Sequence, residues 1–145
     1  MNVDREKFFS GLRSVLGGRL TQGQVESAEA ILRTCESADL SNRQIAYIFA
    51  TAIHETARTL EPIKERRARP GTPLRARQDR YWLTGYYGRG FVQLTWKKNY
   101  ARAGEALGVD LVGKPDLALD RKIAAAILVR GMIEGWFTGK RLAEF

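Results

Sequence analysis

The sequence predicts a mainly α-helical domain, built around one central buried helix and carrying a small β element. Apolar residues recur at helical spacing in four stretches of the chain. One of these stretches, residues 41–55, is apolar on nearly every side, which is typical of a helix inside a core. Between residues 85 and 96 the pattern changes to glycines and then to the alternation of a short strand. The length of 145 residues suits a single domain.

The first two helices are predicted over residues 3–16 and 21–37, and each has one apolar face. Gly17 and Gly18 end the first of them. The apolar stripe of the second includes Cys35, the one cysteine of the chain. A free cysteine on such a stripe is more often packed in a core than reactive, so we expect Cys35 to be buried.

The third helix is predicted to begin at a capping box, with Ser41 as N-cap and Gln44 three residues on. Glu55 stands on the same helical face as Ile48 and Ala52, so we expect its side chain on the buried side. Desolvation favours the protonated form of a buried carboxyl group, which can then act as a general acid. The alternative is a structural glutamate that an arginine neutralises.

Residues 64–80, called the basic segment below, hold most of the surplus positive charge of a chain whose formal net charge is +8. Pro70, Gly71 and Pro73 interrupt any helical spacing there, so the segment is predicted to be a loop. Such charge predicts attraction to a polyanion, whether a nucleic acid, a membrane surface or an anionic cell wall. No helix-turn-helix, zinc-finger or RNA-recognition pattern accompanies it, so nucleic acid is not the expected partner.

After the basic segment, "GFVQLTW" is predicted to form a strand with Gln93 and Thr95 on one face. A short helix over residues 99–108 and a loop containing Pro115 follow. The final amphipathic helix, residues 121–137, is expected to be interrupted at Gly131.

Several classes of function are excluded by composition. No apolar run approaches the ~20 residues of a membrane span. One histidine and one cysteine cannot build a zinc site, and "HETAR" lacks the second histidine of a zinc protease helix, so no metal or other cofactor is expected. The start "MNVDREKFF" lacks the apolar stretch of a secretory signal, which predicts a cytoplasmic location in the producing cell. Without an exposed heptad pattern, we expect a monomer.

If Glu55 is an acid, glycoside hydrolysis requires a second carboxylate across the scissile bond. Glu61 and Glu65 are the nearest candidates in the sequence. Glu61 precedes Pro62 and is predicted to be a surface residue. Glu65 borders the basic segment, where lysine and arginine would keep it ionised, although a merely solvated charge is the alternative.

Four aromatic side chains precede the strand and have flat faces suited to stacking on sugars, although such clusters also occur in cores. They are Tyr81, Trp82, Tyr86 and Tyr87. His54 points about 100° away from Glu55 on the same helix. A lone histidine on an apolar helix is more often structural than a catalytic base.

The residues "HET" at the end of the third helix, followed by "YYGRGFVQLTWKKNYARAGEALGVDLVGKPDLAL", resemble glycoside hydrolase family 19. This family comprises chitinases of plants and bacteria and related phage endolysins. The resemblance extends into "FFSGLRSVLGGRLTQGQVESAEAIL", which is similar to the phage and bacterial branch. It implies an α+β, lysozyme-like fold for residues 1–145, with a substrate cleft between two lobes. Family members commonly continue beyond a segment like "GWFTGKRL", so we expect the usual C-terminal segment to be lacking.

The resemblance also implies roles for individual residues. Glu55 matches the general acid that protonates the glycosidic oxygen, and Thr95 matches a hydroxyl residue that holds the attacking water. Glu65 is assigned by position to the glutamate that activates this water, with inversion at the sugar. The candidate substrate-binding residues are His54, Trp82, Tyr86, Tyr87, Gln93 and Asn99.

The expected substrate is a β-1,4-linked N-acetylhexosamine polymer. Peptidoglycan is preferred over chitin because an anionic wall accounts for the positive charge, whereas chitin is uncharged. The hypothesis of a peptidoglycan substrate predicts a phage endolysin that acts on the wall after release from the producing cell. A chitinase is the alternative within the same class, and a non-catalytic protein that binds wall glycan is the alternative from another class.

Overall fold

The computed structural model describes residues 2–144 and confirms the prediction of a mainly α fold. The α-helices of this part are α1 (Arg5–Val15), α2 (Gln22–Ser37), α3 (Asn42–Glu55), α4 (Pro73–Asp79), α5 (Lys97–Leu107) and α6 (Arg121–Glu134). The strands β1 (Ile63–Lys64) and β2 (Arg89–Gly90) form an antiparallel pair. Short 3₁₀ turns occur at Trp82–Thr84, Pro115–Leu119 and Leu142–Glu144. The helices of residues 2–144 are all too short or too polar to cross a bilayer.

The predicted capping box of α3 is confirmed. The Ser41 hydroxyl accepts a hydrogen bond from the backbone N–H of Gln44, and the Gln44 side chain accepts one from the N–H of Ser41. Thr21 and Gln24 begin α2 in the same reciprocal way. Because each box satisfies two backbone N–H groups that a helix leaves unpaired, short-range sequence sets where these helices begin.

The central helix is α6, and the prediction that α3 occupies this place is wrong. Tyr47 and Ala50 on α3 are exposed, whereas α6 packs against α2, α3 and α5. The buried residues of α6 are Ala124, Ala125, Ile127, Leu128, Val129, Gly131 and Met132. Small alanines on several sides let neighbouring helices approach α6 closely.

The helix α6 also continues through Gly131, contrary to the predicted interruption. A Cβ atom at Gly131 would lie 2.3 Å from Cζ of Phe137, so the glycine provides room for a ring that folds back on the helix. The helix ends at Gly135, whose φ of 77° is left-handed.

Two hydrophobic clusters share α6. The larger lies among α1, α2, α3 and α6, and the smaller lies beneath α5 and the loop before α6, where Tyr100 and Leu111 are fully buried. Cys35 lies in the larger cluster, which confirms its predicted burial. Burial raises the pKa of its thiol to about 12, so the thiol stays protonated at neutral pH.

The β element is smaller than predicted and is displaced toward the N-terminus. Ile63 pairs with Gly90 and Lys64 with Arg89, and a further bridge joins Arg89 to Leu94 across a tight turn. Gln93 within this turn has a left-handed φ of 54°. Because left-handed backbone cannot continue a strand, the prediction of a strand through "GFVQLTW" is wrong.

The basic segment is not a loop throughout, since α4 forms most of its second half. Pro73 is the first residue of α4, and the Thr72 hydroxyl accepts a hydrogen bond from the N–H of Arg75. Proline is favoured at this position because its missing N–H would be unpaired there in any case. Pro73 therefore marks the beginning of a helix instead of excluding one.

Candidate active site

Glu55 is the last residue of α3, and its side chain is exposed. The prediction that it lies on the buried face is wrong, because the buried stripe continues from Ala52 to Thr56, four residues on. Within residues 2–144, no side chain forms an ion pair or hydrogen bond with the Glu55 carboxyl group. Among residues 2–144, no arginine neutralises Glu55, as the alternative of a purely structural glutamate would require.

Thr56 fixes the backbone just beyond Glu55. It is fully buried, and its hydroxyl donates to the carbonyl of Ala52 at 2.7 Å and accepts from the N–H of Leu60 at 3.0 Å. Ala57, Arg58 and Leu60 all have left-handed φ angles, between 48° and 69°. Such backbone is costly outside glycine, so the Thr56 hydrogen bonds hold a turn that the sequence pattern did not predict.

Glu61 has a structural role, because it binds Arg121 of α6. Both of its carboxylate oxygens accept from one guanidinium nitrogen of Arg121, at 3.0 Å each. Arg121 also pairs with Glu26 at 3.3 Å and donates to the Ser27 hydroxyl, so it joins α2 and α6 to the chain after α3. This pairing leaves Glu65 as the second candidate carboxylate.

Glu65 follows β1 directly and is half-buried. Its Oε1 accepts hydrogen bonds from the Tyr81 hydroxyl at 2.5 Å and from Gln78 Nε2 at 3.0 Å. Its Oε2 accepts from the backbone N–H of Gly88 at 2.8 Å. Glu65 thus accepts three hydrogen bonds, two on Oε1 and one on Oε2.

The donors to Glu65 differ from those predicted. Lysine and arginine were expected to keep it ionised, but all three donors are uncharged. Arg67 instead pairs with Asp79 at 2.6 Å. A carboxylate offers roughly four lone-pair positions, so three hydrogen bonds leave about one, on Oε2, for another partner.

Trp82 and Tyr87 stack face to face, with centroids 4.5 Å apart and planes 13° apart. The guanidinium of Arg67 lies 4.6 Å from the Trp82 ring, and that of Arg89 lies 4.2 Å from the Tyr87 ring. Each ring therefore contacts one aromatic ring and one guanidinium group. In this arrangement the two rings and the two guanidinium groups form a cation–π stack, and both rings remain partly exposed.

Tyr86 is likewise held by the protein. Its hydroxyl donates to the carbonyl of Val112 at 2.8 Å, and its ring meets Tyr100 edge to face. Tyr86 thus packs on the smaller hydrophobic cluster.

Three polar candidates lie together at the turn after β2. Gln93 Nε2 donates to the carbonyls of Ile63 and Gly90, the Thr95 hydroxyl donates to the carbonyl of Gln93, and Asn99 Nδ2 donates to the carbonyl of Thr95. A Cβ atom at Gly88 would lie 2.8 Å from Gln93 Oε1 and 3.1 Å from Glu65 Cβ. Gly88 therefore allows Gln93 and Glu65 to approach each other.

His54 is exposed on α3, next to Glu55. Its side chain shares a surface depression with Val15 and Arg58, between the ends of α1 and α3. The structure brings Glu65 and Gln93 together, and hydrogen bonds to backbone carbonyls link Thr95 to Gln93 and Asn99 to Thr95.

Arg89 and Gln78 are site residues that the sequence reasoning missed. Arg89 is 5% exposed and donates to Asp116, the carbonyl of Gly85 and the Tyr100 hydroxyl. Burial opposes ionisation of Asp116, but the hydrogen bond from Arg89 lowers the pKa of that carboxyl group below its ordinary value. The arginine between two glycines in "YYGRG" was the available signal for Arg89. No pattern marked Gln78, whose role depends on contacts distant in sequence.

The described residues 2–144 contain no group of three or more histidine, cysteine, aspartate or glutamate side chains placed to hold a metal ion.

Comparison with known proteins agrees with the architecture and with the motifs. The family model for glycoside hydrolase family 19, described as chitinase class I, matches residues 25–140. Chitinase 8 of Oryza sativa subsp. japonica is 35% identical over 104 residues, which cover 72% of this chain and 38% of that protein. Inactive chitinase-like protein 1 of Hevea brasiliensis is 58% identical over 40 residues, which cover 27% of this chain and 13% of that protein.

The fold is similar to the crystal structure of chitinase C from Streptomyces griseus, with a TM-score of 0.57 and 22% identity. The match covers 86% of this chain and 53% of that one. The chain therefore belongs to glycoside hydrolase family 19, and the predicted mainly α, lysozyme-like fold is confirmed. It spans less than half of the length of the curated relatives named above.

Proposed function

We propose that this chain is a glycoside hydrolase that cleaves β-1,4-linked N-acetylhexosamine polymers with inversion. The observation that carries the proposal is the contrast between two glutamates. Glu55 has an exposed carboxyl group at the end of α3, without a partner in residues 2–144, and is free to reach a substrate. Glu65 is held by three donors in the orientation of a fixed carboxylate. An inverting enzyme requires one acid and one base of this kind.

In the proposed reaction, Glu55 donates its proton to the glycosidic oxygen as the bond from that oxygen to the sugar carbon breaks. A water molecule attacks the same carbon from the opposite face and transfers a proton to the open position on Glu65 Oε2. The Thr95 hydroxyl orients this water through its free lone pair. Glu55 ends ionised and Glu65 protonated, and proton exchange with solvent restores both.

The arginines of the basic segment favour peptidoglycan as the substrate. Asp79 pairs with Arg67 and Arg75. The remaining arginines of the segment are exposed and have no acidic partner in residues 2–144: Arg66, Arg69, Arg77 and Arg80. Peptidoglycan carries carboxylates along its peptide stems, whereas chitin is uncharged, so free arginines in the segment that contains Glu65 favour the anionic polymer.

We therefore propose an endolysin role, in which the protein acts on the cell wall after its release from the producing cell. The predicted cleft between the lobes, the monomeric state and the cytoplasmic location before release are further parts of this proposal. A chitinase is the second candidate, and the family description and the rice relative favour it. A glycan-binding role without turnover is a third, which the similarity to an inactive chitinase-like protein favours.

The deciding experiment compares wild type, Glu55→Gln and Glu105→Gln on purified peptidoglycan and on colloidal chitin. Clearing of peptidoglycan and release of reducing ends from chitin are both followed. Glu105→Gln is the matched control, because it removes the same charge from the exposed surface of α5. We expect wild type and the control to clear peptidoglycan, and Glu55→Gln to lose at least about 100-fold in rate, since it has no proton to donate.

Release from chitin without clearing of peptidoglycan would assign the protein as a chitinase. Equal rates for wild type and Glu55→Gln would contradict the role of Glu55. If all three proteins are folded and inactive on both polymers but sediment with insoluble peptidoglycan, the binding role replaces the hydrolase.

A further inference from the structure

Tyr81 lies between α4 and the 3₁₀ turn at Trp82–Thr84, and its hydroxyl reaches Glu65 Oε1. We propose that Tyr81 is a positioning residue for the base, which holds the Glu65 carboxylate turned so that Oε2 faces the attacking water. This inference rests on the proposed hydrolase function and adds a residue to it.

The hydrogen bonds at Glu65 define one orientation of its carboxylate. Tyr81 and Gln78 together occupy Oε1, while the N–H of Gly88 occupies one position on Oε2. Rotation of the carboxylate would break all three bonds at once. The remaining position on Oε2 is therefore constant, and a base must present its lone pair to water in just such a constant direction.

The surroundings of Tyr81 hold its hydroxyl in place. Its backbone N–H donates to the carbonyl of Gln78 at 3.1 Å, and its ring meets Trp96 edge to face at 5.3 Å. Burial, and then the hydrogen bond to Glu65, raise the pKa of the Tyr81 phenol well above its ordinary value. The phenol thus stays protonated and remains a donor across the range in which a glycosidase works.

Tyr81 can be tested separately from Gln78. Gln78 is fully buried and also binds the N–H of Ala68 and the carbonyl of Arg66, so its removal would disturb the backbone of the basic segment. The Tyr81 hydroxyl, by contrast, has Glu65 as its partner in residues 2–144. Tyr81→Phe therefore removes one donor and retains the ring.

The test is the pH dependence of kcat/KM on the polymer that the wild type cleaves, for wild type, Tyr81→Phe and Tyr47→Phe. The acid limb of this profile reports ionisation of the base in the free enzyme. Loss of a donor to a carboxylate disfavours its charged form, so in Tyr81→Phe we expect the acid limb to move to higher pH by roughly one unit. We also expect kcat to fall about 10-fold with KM within twofold of wild type. Tyr47→Phe removes a hydroxyl from the exposed side of α3 and should leave the limb in place.

A second measurement does not depend on activity. In a double-mutant cycle of Tyr81→Phe and Glu65→Ala, which leaves no acceptor at position 65, we expect the double variant to lose clearly less stability in urea unfolding than the sum of the two single losses. Additive losses would overturn the inference, because the contact would then carry no energy. An unmoved acid limb in a folded Tyr81→Phe variant would overturn it as well. Inactivity of the wild type on both polymers would instead overturn the proposed function and the role of Tyr81 with it, while the cycle would still report the contact.

Discussion

Three glutamates within eleven residues of sequence have three different surroundings. Glu55 is exposed at a helix end, Glu61 is bound by Arg121, and Glu65 accepts three hydrogen bonds from uncharged donors. A carboxyl group takes its chemical role from the donors and solvent around it. The different roles proposed for Glu55 and Glu65 follow from this difference in surroundings.

Gly90 in β2 is expected to tolerate no side chain. Its φ is 91°, and a Cβ atom would lie 2.9 Å from the backbone oxygen of Ala118. Left-handed backbone costs about 1–2 kcal/mol outside glycine, and overpacking against rigid backbone costs about 1–3 kcal/mol more. We expect Gly90→Ala to lower the free energy of unfolding by about 2–5 kcal/mol, measured in urea.

Gly85→Ala is the matched control for this prediction. Gly85 has nearly the same φ, 85°, but nothing lies within 4 Å of the position of its Cβ atom. Only the backbone cost of about 1–2 kcal/mol should appear. Equal losses for the two variants would show that the contact with Ala118 does not matter.

The end of α3 depends on the Thr56 hydroxyl. Replacement of Thr56 by valine retains the shape but removes the acceptor for the buried N–H of Leu60. An unsatisfied buried donor costs about 1–3 kcal/mol. We expect Thr56→Val to destabilise the protein by this amount in urea unfolding and to reduce turnover, because Glu55 precedes Thr56 directly.

Thr51→Val tests whether the acceptor role is the cause. The Thr51 hydroxyl also donates to a helix carbonyl four residues back, that of Tyr47, as Thr56 donates to Ala52. It is not seen to accept a hydrogen bond from any group in residues 2–144, so we expect a change within about 0.5 kcal/mol. If Thr51→Val lost as much stability as Thr56→Val, the cause would instead be the hydrogen bond that each hydroxyl donates to the carbonyl four residues earlier.

For the whole molecule, Arg5 joins the N-terminal helix to α2 through Glu29 and Glu36, each at 2.7 Å. The hydrogen bond from Arg5, followed by one from the backbone of Val3, lowers the pKa of Glu36 to about 2. A carboxyl whose pKa is lower in the folded state stabilises the protein above its unfolded pKa of about 4.3. This stabilisation is lost as the pH falls from about 4.3 toward 2.

We therefore expect Glu36→Gln to lower the free energy of unfolding by about 1–2 kcal/mol at pH 7 and by progressively less as the pH approaches 2. Urea unfolding at a series of pH values measures this difference. Glu134→Gln is the comparison, since its pair with Arg130 is an exposed pair within α6 and should contribute no more than about 0.5 kcal/mol. A cost for Glu36→Gln that stays constant down to pH 2 would contradict the assigned role of ionisation.

Elements whose signals are local could be predicted from the sequence. The capping box of Ser41 and Gln44 and the apolar stripe with Cys35 both depend on residues within a few turns of one helix, and both predictions are confirmed. The start of α4 was also encoded locally, at Thr72 and Pro73, but the prolines were interpreted as helix breakers. The motif "HET" at Glu55 and the stretch that begins with "YYGRG" were sufficient to identify the family.

Most of the helices, the family and the two candidate carboxylates could be inferred from residues close together in the chain, because helical periodicity, capping and short motifs act over neighbouring residues. The exception among the α-helices is α4, which was predicted to be a loop. The folded chain was needed to show that Glu55 is exposed and that α6 is central. It was also needed to show that Tyr81 and Gln78 bind Glu65, and that Arg67 and Arg89 contact the rings of Trp82 and Tyr87. These features depend on which segments meet after folding. A residue pattern records which face of an element is apolar, but it does not record which distant donor, ring or helix will contact that face.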